Sequence, residues 1–393
     1  MSGNSKPQNT DSDEEAATRE IRELHEGGKI HMAPRRRLKS IQDLRKLYTP
    51  GVAGISELIE EKPDEYFRYT SAGNTVAVLT NGTAVLGLGD VGVKAAMPVM
   101  EGKGLILMEM VDVSTVPVLV DTHDAEEIVA TAQNIAPTFG GILLEDIAAP
   151  DCFEVEERLK KTVDIPVFHD DQHGTAVVVV AALASALKMT GKQAGDLDAV
   201  ISGAGAGGCA VARFLLDYGV RDVVLCDSTG AIYEGRNKGM NPSKHAIAEE
   251  TNAHNERGSL ADVMQDKDLF IGLSVEGLVS KEMVRSMAPD PIVFPMANPV
   301  PEIWPTEARE AGAAAAEDGR NINNALGFPG LFRGALDSRA TEINEDMKVA
   351  ASHALADAAP DGELVPDFMD KDVHRSVAEA VAEAARESGV ARR

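Results

Sequence analysis

The chain has 393 residues, 44% of them hydrophobic, and a formal net charge of −25 from 63 acidic and 38 basic residues. The hydrophobic content is typical of a globular protein and excludes a mainly disordered chain. The surplus of acid disfavours nucleic acid and anionic membranes as partners. Because the acid is dispersed along the chain, it also indicates a halophilic protein, whose self-repulsion concentrated salt would screen.

The ends of the chain and its cysteines predict a cytoplasmic protein. The first 20 residues are polar and lack the apolar segment of a signal peptide, so we predict a disordered tail over residues 1–25. The longest apolar run, residues 176–187, is too short to cross a bilayer. Three widely spaced cysteines (Cys152, Cys209 and Cys226) form no metal-binding pattern and predict reduced thiols.

The first candidate catalytic residue follows a predicted helix over residues 41–47. Pro50-Gly51 forces a turn there, and Tyr48 lies at the junction, where a side chain can be presented to a ligand. The alternative is that Tyr48 has only a packing role. Residues 75–79 then predict a strand, and Asn81-Gly82 predicts a hairpin that leads into a second strand at residues 84–86.

A glycine pattern, G-x-G-x-x-G, follows at residues 87–92. Pro98 interrupts the next helical stretch within two turns, which is poor context for dinucleotide binding, so we predict a tight loop beside the substrate. Residues 105–111 predict a strand. Lys103 precedes it in an apolar setting, where burial can lower the pKa of a lysine toward the range of a general base. A surface lysine with a buried stem is the alternative.

Two acidic pairs lie between residues 144 and 175. Glu145-Asp146 and Asp170-Asp171 each follow a short apolar run that predicts a buried strand. Acids at the carboxyl ends of neighbouring parallel strands share one crevice, and carboxylates this close require a cation. All-oxygen ligands favour Mg²⁺ or Mn²⁺ over zinc. The sequence therefore predicts a divalent metal site; helix caps or solvated strand ends are the alternative.

A second glycine pattern lies between a strand at residues 199–202 and a helix at residues 210–218. Gly203, Gly205 and Gly208 permit a tight turn and the close approach of a pyrophosphate to the helix N-terminus. Asp227 ends the next strand, about 20 residues past the motif, where an acid accepts hydrogen bonds from a ribose. The pattern predicts dinucleotide binding, against the alternative of a glycine turn without a ligand.

The remaining elements complete an α/β chain. A strand at residues 291–297 precedes Asn298, and Asn323-Asn324 follow later; these side chains could bond to a nicotinamide ribose or a substrate, although such residues commonly cap turns. Strands alternate with helices, which predicts parallel sheets. We predict a tail at 1–25, an N-terminal α/β domain at 26–172, a Rossmann-like doubly wound parallel-sheet domain at 173–335, and C-terminal helices at 336–393.

Several specific runs, in this order, make the chain resemble the short prokaryotic form of malic enzyme over about residues 30–358: LYTPGVA, TNGTAVLGLGD, PVMEGK, LEDI, VFHDDQHGTA, GAGAGG, ANPVPEI and NNALGFPG. The resemblance implies oxidative decarboxylation of L-malate to pyruvate and CO₂. It implies NAD or NADP and Mg²⁺ or Mn²⁺ as cofactors, and it admits oxaloacetate decarboxylation as a side activity. A homodimer or higher homo-oligomer is also implied.

The resemblance assigns roles residue by residue, namely Glu145, Asp146 and Asp171 as metal ligands, Lys103 as general base, Tyr48 as general acid, Asp170 as a supporting partner, and Asn298 with Asn324 or Asn323 as contacts to substrate and cofactor. The choice between NAD and NADP stays open. Asp227 favours NAD by repelling a 2′-phosphate, whereas Arg236 and Lys238 could accommodate one.

Two rival functions stand beside this one. A 2-hydroxy-acid dehydrogenase that does not decarboxylate would use the same cofactor and metal. A dinucleotide-binding regulatory protein would need neither the lysine nor the acidic pairs.

Overall fold

The computed structural model describes residues 10–85 and 88–392, with the backbone alone for residues 10–17. Ten strands form two sheets: β1 Thr75–Thr80, β2 Ser114–Leu119, β3 Gly141–Leu144, β4 Val167–His169, β5 Asp198–Ser202, β6 Asp222–Asp227, β7 Gly230–Ala231, β8 Leu269–Gly272, β9 Ile292–Pro295 and β10 Ala315–Ala316.

The helices of the described residues are α1 Thr10–His25, α2 Ile41–Leu47, α3 Val52–Glu61, α4 Tyr66–Tyr69, α5 Val93–Val111, α6 Ala125–Ile135, α7 Asp151–Thr162, α8 Thr175–Thr190, α9 Ala206–Asp217, α10 Pro242–Glu250, α11 Leu260–Val263, α12 Lys281–Arg285, α13 Pro305–Glu310, α14 Phe328–Ser338, α15 Glu345–Ala358 and α16 Lys371–Glu387.

The N-terminal sheet has the order β2-β1-β3-β4, and all its strands are parallel. The chain winds outward from β1 to β2 and then returns to build β3 and β4 on the other side. Ligands bind parallel sheets at such a reversal, beyond the carboxyl ends of the strands. Strand β2, which contains Pro117, was not among the strands predicted from the sequence. A proline is tolerated there because β2 is an edge strand.

The second sheet has the order β10-β9-β8-β5-β6-β7, and every neighbouring pair is parallel except β6 with β7. Winding reverses at β5, which lies between β6 and β8, and the glycine run begins directly after β5. This arrangement confirms the predicted α/β class with a Rossmann-like sheet. The C-terminal helices α14, α15 and α16 pack on one another and against α5 and α8.

Helix α8 lies at the centre of the core, as its sequence predicts. A helix that is apolar on all sides is stable only when it is surrounded by protein, and residues 176–186 of α8 are all buried. The largest core cluster contains side chains from this helix and from both sheets. Within the described part of the chain, residues 170–190 are the one helical segment with the length and composition of a membrane span, but that segment is mostly inside the protein.

The predicted strand at residues 105–111 is wrong, because these residues belong to α5. That helix runs through Pro98, and its buried side chains recur at helical spacing: Ala96, Met100, Lys103, Leu107 and Val111. A short continuous apolar run does not distinguish a strand from a buried helix. Lys103 therefore lies on the buried face of a helix.

The predicted hairpin at Asn81-Gly82 is also wrong. Strand β1 pairs in parallel with β2 and β3, and the N–H groups of Thr83 and Ala84 donate to Asp146 O instead of to a returning strand. A hairpin turn needs an adjacent antiparallel partner, and here the tertiary fold supplies another acceptor. Residues 86 and 87, which end the predicted strand and begin the first glycine pattern, lie outside the described residues.

The predicted disordered tail is wrong over residues 10–25, because these residues form helix α1. Its described side chains, from residue 18 onward, are exposed. Its Glu, Ala and Arg residues are strong helix formers, so local preference is enough to account for the helix. Residues 1–9 of the predicted tail lie outside the described residues.

Candidate active site

Three carboxylates meet at the carboxyl end of the N-terminal sheet. Glu145 and Asp146 follow β3, and Asp171 follows β4, its parallel neighbour. One ligand oxygen from each of the three residues lies within 4.8 Å of the other two. The sheet therefore brings together the three acids that the sequence separates by about 25 positions.

The loop after β1 holds the backbone of this cluster. Asp146 has a φ of 54°, a left-handed conformation that is costly for a residue with a side chain. Its carbonyl accepts hydrogen bonds from the N–H groups of Thr83 and Ala84, each at 3.1 Å. Its N–H donates to Asp171 Oδ2 at 3.0 Å. These three bonds fix Asp146 in an orientation that its own preference would not select.

The donor set fits a divalent cation. Glu145 is buried, and its Oε2 has no hydrogen-bond partner among the described residues. Burial, together with the carboxylates of Asp171 and Asp170, raises the pKa of Glu145 well above its usual range, although Lys103 opposes the shift. All-oxygen ligands favour Mg²⁺ or Mn²⁺.

Lys103 reaches the cluster from α5. Its Nζ lies 3.0 Å from Glu145 Oε1, donates a hydrogen bond to Asp170, and lies 4.8 Å from the centroid of the Phe328 ring. Burial lowers the pKa of Lys103, but the charges of Asp170 and Glu145 outweigh it and raise the pKa above its ordinary value. The prediction that burial lowers the pKa of Lys103 is therefore wrong, because the sequence did not show that two carboxylates converge on this amine.

Behind the cluster, Glu156 of α7 holds the turn of residues 170–174. Its buried carboxylate accepts hydrogen bonds within 3.2 Å from His169 N, Gln172 Nε2 and His173 Nε2, and it forms an ion pair at 2.9 Å with Lys160 Nζ. Burial raises the pKa of Glu156, but His173 and Lys160 outweigh burial and hold it well below its usual range. Asp170 and Asp171 therefore lie on a turn whose backbone and side chains are tied to one buried anion.

A C-terminal helix completes this support. Lys348 of α15 places its Nζ 3.2 Å from His173 Nδ1. Burial and the nearby Lys348 charge hold the pKa of His173 at about 4. The imidazole is therefore neutral at pH 7, with Nδ1 accepting from Lys348 and Nε2–H donating to Glu156.

The second glycine pattern forms the loop between β5 and α9. A Cβ added at Gly203 would lie 2.3 Å from Leu273 O, and one at Gly208 would lie 1.8 Å from Gly203 O. Both glycines are thus required by the fold itself. A Cβ added at Gly205 would meet nothing within 4 Å, so the surface there is open, as the close approach of a pyrophosphate requires.

The start of α9 lies against the backbone of the turn that carries Asp171. A Cβ added at Gly207 would lie 3.1 Å from the carbonyl oxygen of Asp171. Beside the loop, a cavity of about 760 Å³ extends along Gly203, Asp227 and Ser274. A dinucleotide on this loop would therefore have Asp227 within its binding cavity.

Two cations surround Asp227 at the end of β6. Arg236 Nη2 lies 2.5 Å and Lys244 Nζ 2.6 Å from Asp227 Oδ2. Burial raises the pKa of Asp227, but these two partners outweigh it and bring the pKa to about 2. Arg236 is 5% exposed and also donates to the carbonyls of Lys238, Gly230 and Ala231.

In the structure Arg236 has other partners. Four of its five N–H groups donate to Asp227 and to three carbonyls, so its part in holding a 2′-phosphate stays a prediction. Lys238 is exposed, and Lys244 is the cation that shares the carboxylate of Asp227 with Arg236.

The three predicted asparagines separate in the structure. Asn324 lies against the turn of residues 170–174, because a Cβ added at Gly174 would be 3.1 Å from its Cβ. Asn323 caps the following turn, with its side chain accepting from Ala325 N at 2.9 Å. Asn298 is exposed after β9, with only a 3.4 Å hydrogen bond to Met296 O. Of the three, Asn324 is the residue placed beside the carboxylate turn.

Tyr48 is not part of the buried cluster. Its ring is 66% exposed at the end of α2, and its hydroxyl forms no hydrogen bond with a described residue. Neither α2 nor α3 buries any side chain. Large apolar side chains are exposed along this segment: Leu38, Ile41, Leu44, Leu47, Tyr48, Val52 and Ile55.

Sequence reasoning missed three residues that shape the site: Thr83, Glu156 and Lys244. Glu156 lies in a charged helix that reads as a solvated surface, and Lys244 lies in a segment without a motif. Only the asparagine-glycine turn beside Thr83 gave a signal, and it indicated a hairpin.

The two halves of the chain each match the model of a known protein domain. Two family models match, "Malic enzyme, N-terminal domain" over residues 27–160 and "Malic enzyme, NAD binding domain" over residues 172–322. The chain is 52% identical to the bifunctional malic/malolactic enzyme of Bacillus subtilis, with 93% of this chain and 92% of the relative covered. It is 49% identical to the NAD-dependent malic enzyme of Geobacillus stearothermophilus, with 94% and 79% covered. The crystal structure of a malic enzyme from Pyrococcus horikoshii has a TM-score of 0.92 at 39% identity, with 96% and 92% covered.

Proposed function

Because the chain belongs to the malic enzyme family, we propose that it oxidatively decarboxylates L-malate to pyruvate and CO₂, with NAD or NADP as hydride acceptor and Mg²⁺ or Mn²⁺ as cofactor. One observation carries the proposal. The oxygens of three carboxylates lie within 4.8 Å of one another beside a buried lysine, and the turn that carries Asp171 lies against the start of α9. A metal-bound substrate and a nicotinamide would meet there.

The residues of the cluster divide the chemistry between them. Glu145, Asp146 and Asp171 hold the cation, which when bound acts as a Lewis acid on the substrate oxygens. Lys103 accepts the proton of the C2 hydroxyl as hydride leaves C2, and Asp170 orients its amine. A cation bound by the three carboxylates would offset the negative charge that stabilises the protonated amine of Lys103. The pKa of Lys103 would then fall toward that of a base. Asn324 contacts substrate and cofactor from the opposite side of the turn.

Tyr48 is the general acid that protonates C3 of the enol product, and it acts from a second copy of the chain. Seven large apolar side chains are exposed over residues 38–55, and a contiguous exposed apolar surface of this kind favours a protein interface. In a two-fold dimer each copy would cover this segment of its partner and would present Tyr48 to the partner's cluster.

A mixing experiment tests this arrangement. Tyr48→Phe and Lys103→Ala are each expected to be inactive alone. When the two variants are mixed and allowed to exchange, half of the dimers are hybrids with one intact site, so about one quarter of wild-type activity should return. If Tyr48 acted within its own chain, no hybrid site would be intact and the mixture would stay inactive.

Lys244 selects between the two dinucleotides. Asp227 disfavours a 2′-phosphate when it stands alone, but here Arg236 and Lys244 neutralise it. Arg236 is buried and uses four of its five N–H groups within the protein, whereas Lys244 is half-buried and can turn from Asp227 to a 2′-phosphate. This pair of cations supports the use of NADP as well as NAD.

The activity is tested by a malate-dependent assay with NAD and NADP in parallel, with and without EDTA, in which CO₂ released from labelled malate is trapped. One CO₂ for each reduced dinucleotide, abolished by EDTA and restored by Mn²⁺, is the expected result. Reduction without CO₂ would instead establish the alternative, a 2-hydroxy-acid dehydrogenase that does not decarboxylate.

The proposed setting is a cytoplasm rich in salt. The net charge of −25 gives strong self-repulsion that dissolved ions screen, and the three cysteines are free and buried. Activity and unfolding temperature should both rise with KCl concentration. Full activity and stability in dilute buffer would contradict the halophilic part of the proposal.

A further inference from the structure

A second cavity, of about 250 Å³, lies away from the carboxylate cluster. Four arginines line it, Arg68, Arg333, Arg339 and Arg392, against two aspartates, Asp164 and Asp337. We call it the arginine cavity. Its walls come from both halves of the chain, since Phe67, Gly140 and Ile165 lie opposite residues of α14. A local excess of cations is notable in a chain whose net charge is −25.

Three of the four arginines have an acidic partner: Arg333 pairs with Asp337, and the looser pairs Arg68–Glu65 and Arg392–Asp164 are both 3.5 Å long. Arg333 donates from Nη1 to Asn74 Oδ1 and from Nη2 to Asp337 Oδ1, each at 2.6 Å, while its buried Nε has no hydrogen-bond partner among the described residues. Arg339 donates to Asp64 O at 3.2 Å. Within the described ranges, no carboxylate lies at ion-pair distance from Arg339.

These observations indicate a missing acceptor. A buried donor of a charged group without a partner is costly, and guanidinium groups bind oxyanions in a bidentate manner. Arg392 is also weakly committed, with its Nη2 3.5 Å from Asp164 Oδ2. A cavity of 250 Å³ far exceeds the roughly 15 Å³ that one water requires on the same scale. It has room for an anion of several heavy atoms.

We propose that the arginine cavity is a binding site for a small oxyanion carrying two negative charges, either phosphate or a short aliphatic dicarboxylate. Arg333 and Arg339 supply the charge from α14, and Arg392 supplies it from the C-terminus. The ligand joins the N-terminal sheet to α14. That helix begins at Phe328, whose ring lies against Lys103, and Arg333 is about 7.5 Å farther along the axis.

Calorimetric titration of the whole protein with sodium phosphate and, separately, with sodium succinate tests the site at constant ionic strength, without malate or dinucleotide. Saturable binding of at least one of the two anions is expected, and the pattern shows whether phosphate or the dicarboxylate is the preferred chemistry. Arg339→Gln should weaken that binding about tenfold or more, since each charge-assisted contact contributes strongly. Absence of saturable binding by either anion would overturn the proposal.

Two further variants locate the bound anion and guard against misfolding. Arg392→Gln alters an exposed residue near the C-terminus and should weaken the same binding, with an unchanged unfolding temperature in the absence of anion. Lys244→Ala and Arg375→Gln, which lie outside the cavity, should bind as the wild type does. If Lys244→Ala removed the binding while Arg339→Gln kept it, the anion would occupy the dinucleotide site and the proposal would be wrong. The titration does not depend on the proposed enzymatic activity, so failure of either proposal leaves the other to be judged separately.

Discussion

Replacing Glu156 by glutamine should weaken both metal binding and the fold. The carboxylate is 5% exposed, accepts hydrogen bonds from three donors on or beside the turn that carries Asp170 and Asp171, and pairs with Lys160. Glutamine keeps the shape and one oxygen, but it directs an NH₂ group at donors and leaves Lys160 without its anion. Removing one partner of a buried charged pair lowers the free energy of unfolding by about 3–5 kcal/mol. With an unfolding entropy of about 2.1 cal/mol/K per residue, that cost lowers Tm by about 4–6 °C.

The metal site should respond in parallel. Removal of groups that orient metal ligands typically lowers affinity about 10–100-fold, which titration with Mn²⁺ measures directly. Glu154→Gln is the matched control, because Glu154 is exposed on the same helix and pairs only with Arg158. Because the pKa of Glu156 is depressed, its stabilisation is complete above the pKa of an unfolded glutamate and is lost only as pH falls toward the folded value. The Tm difference should therefore be equal at pH 6 and pH 8. Equal Mn²⁺ affinity and Tm in the two variants would refute the supporting role of Glu156.

Three further results are expected. Lys103→Ala should lower kcat by about 10²–10⁴-fold while Mn²⁺ binding is kept; Lys94→Ala, exposed on the same helix, should be normal, and near-normal turnover of the Lys103 variant would remove its role as base. Lys244→Ala should raise KM for NADP and weaken binding of 2′,5′-ADP while leaving KM for NAD unchanged; an equal effect on both cofactors would contradict selection by Lys244. Cys152 and Cys226, whose pKa burial raises to about 12, should resist a thiol reagent at pH 8 until the protein is unfolded, and rapid labelling of the native protein would oppose their buried placement.

Much of the fold could be predicted because local patterns and global topology agree. Apolar runs bounded by turn residues placed β1, β3, β4 and four strands of the second sheet (β5, β6, β8 and β9), and a helix at residues 176–189 without a polar face had to be buried. The failures came where a local pattern allows two structures. Residues 105–111 are apolar throughout and suit a strand or a buried helix, and only packing of α5 against the N-terminal sheet decides between them.

The candidate site could likewise be predicted only in part. Acid pairs after two predicted strands were enough to bring Glu145, Asp146 and Asp171 to one edge, since parallel strands align their carboxyl ends. The charge state of Lys103 could not be predicted, because it depends on which carboxylates approach its amine. Glu156 and Lys348 carried no signal, as both lie in charged helices whose sequence is equally suited to a solvated surface.

The sequence by itself determined which chemical groups are available and the order in which strands and loops deliver them, because strand, turn and glycine patterns act over a few neighbouring residues. Only the tertiary structure decided how those groups are charged and held. The bonds that hold Asp146 to Thr83 and Asp171, the bonds from the turn of residues 170–174 to Glu156, and the two cations on Asp227 each join different elements of the fold. Electrostatic energies depend on separations of a few ångströms, and those separations are set by packing that no local pattern records.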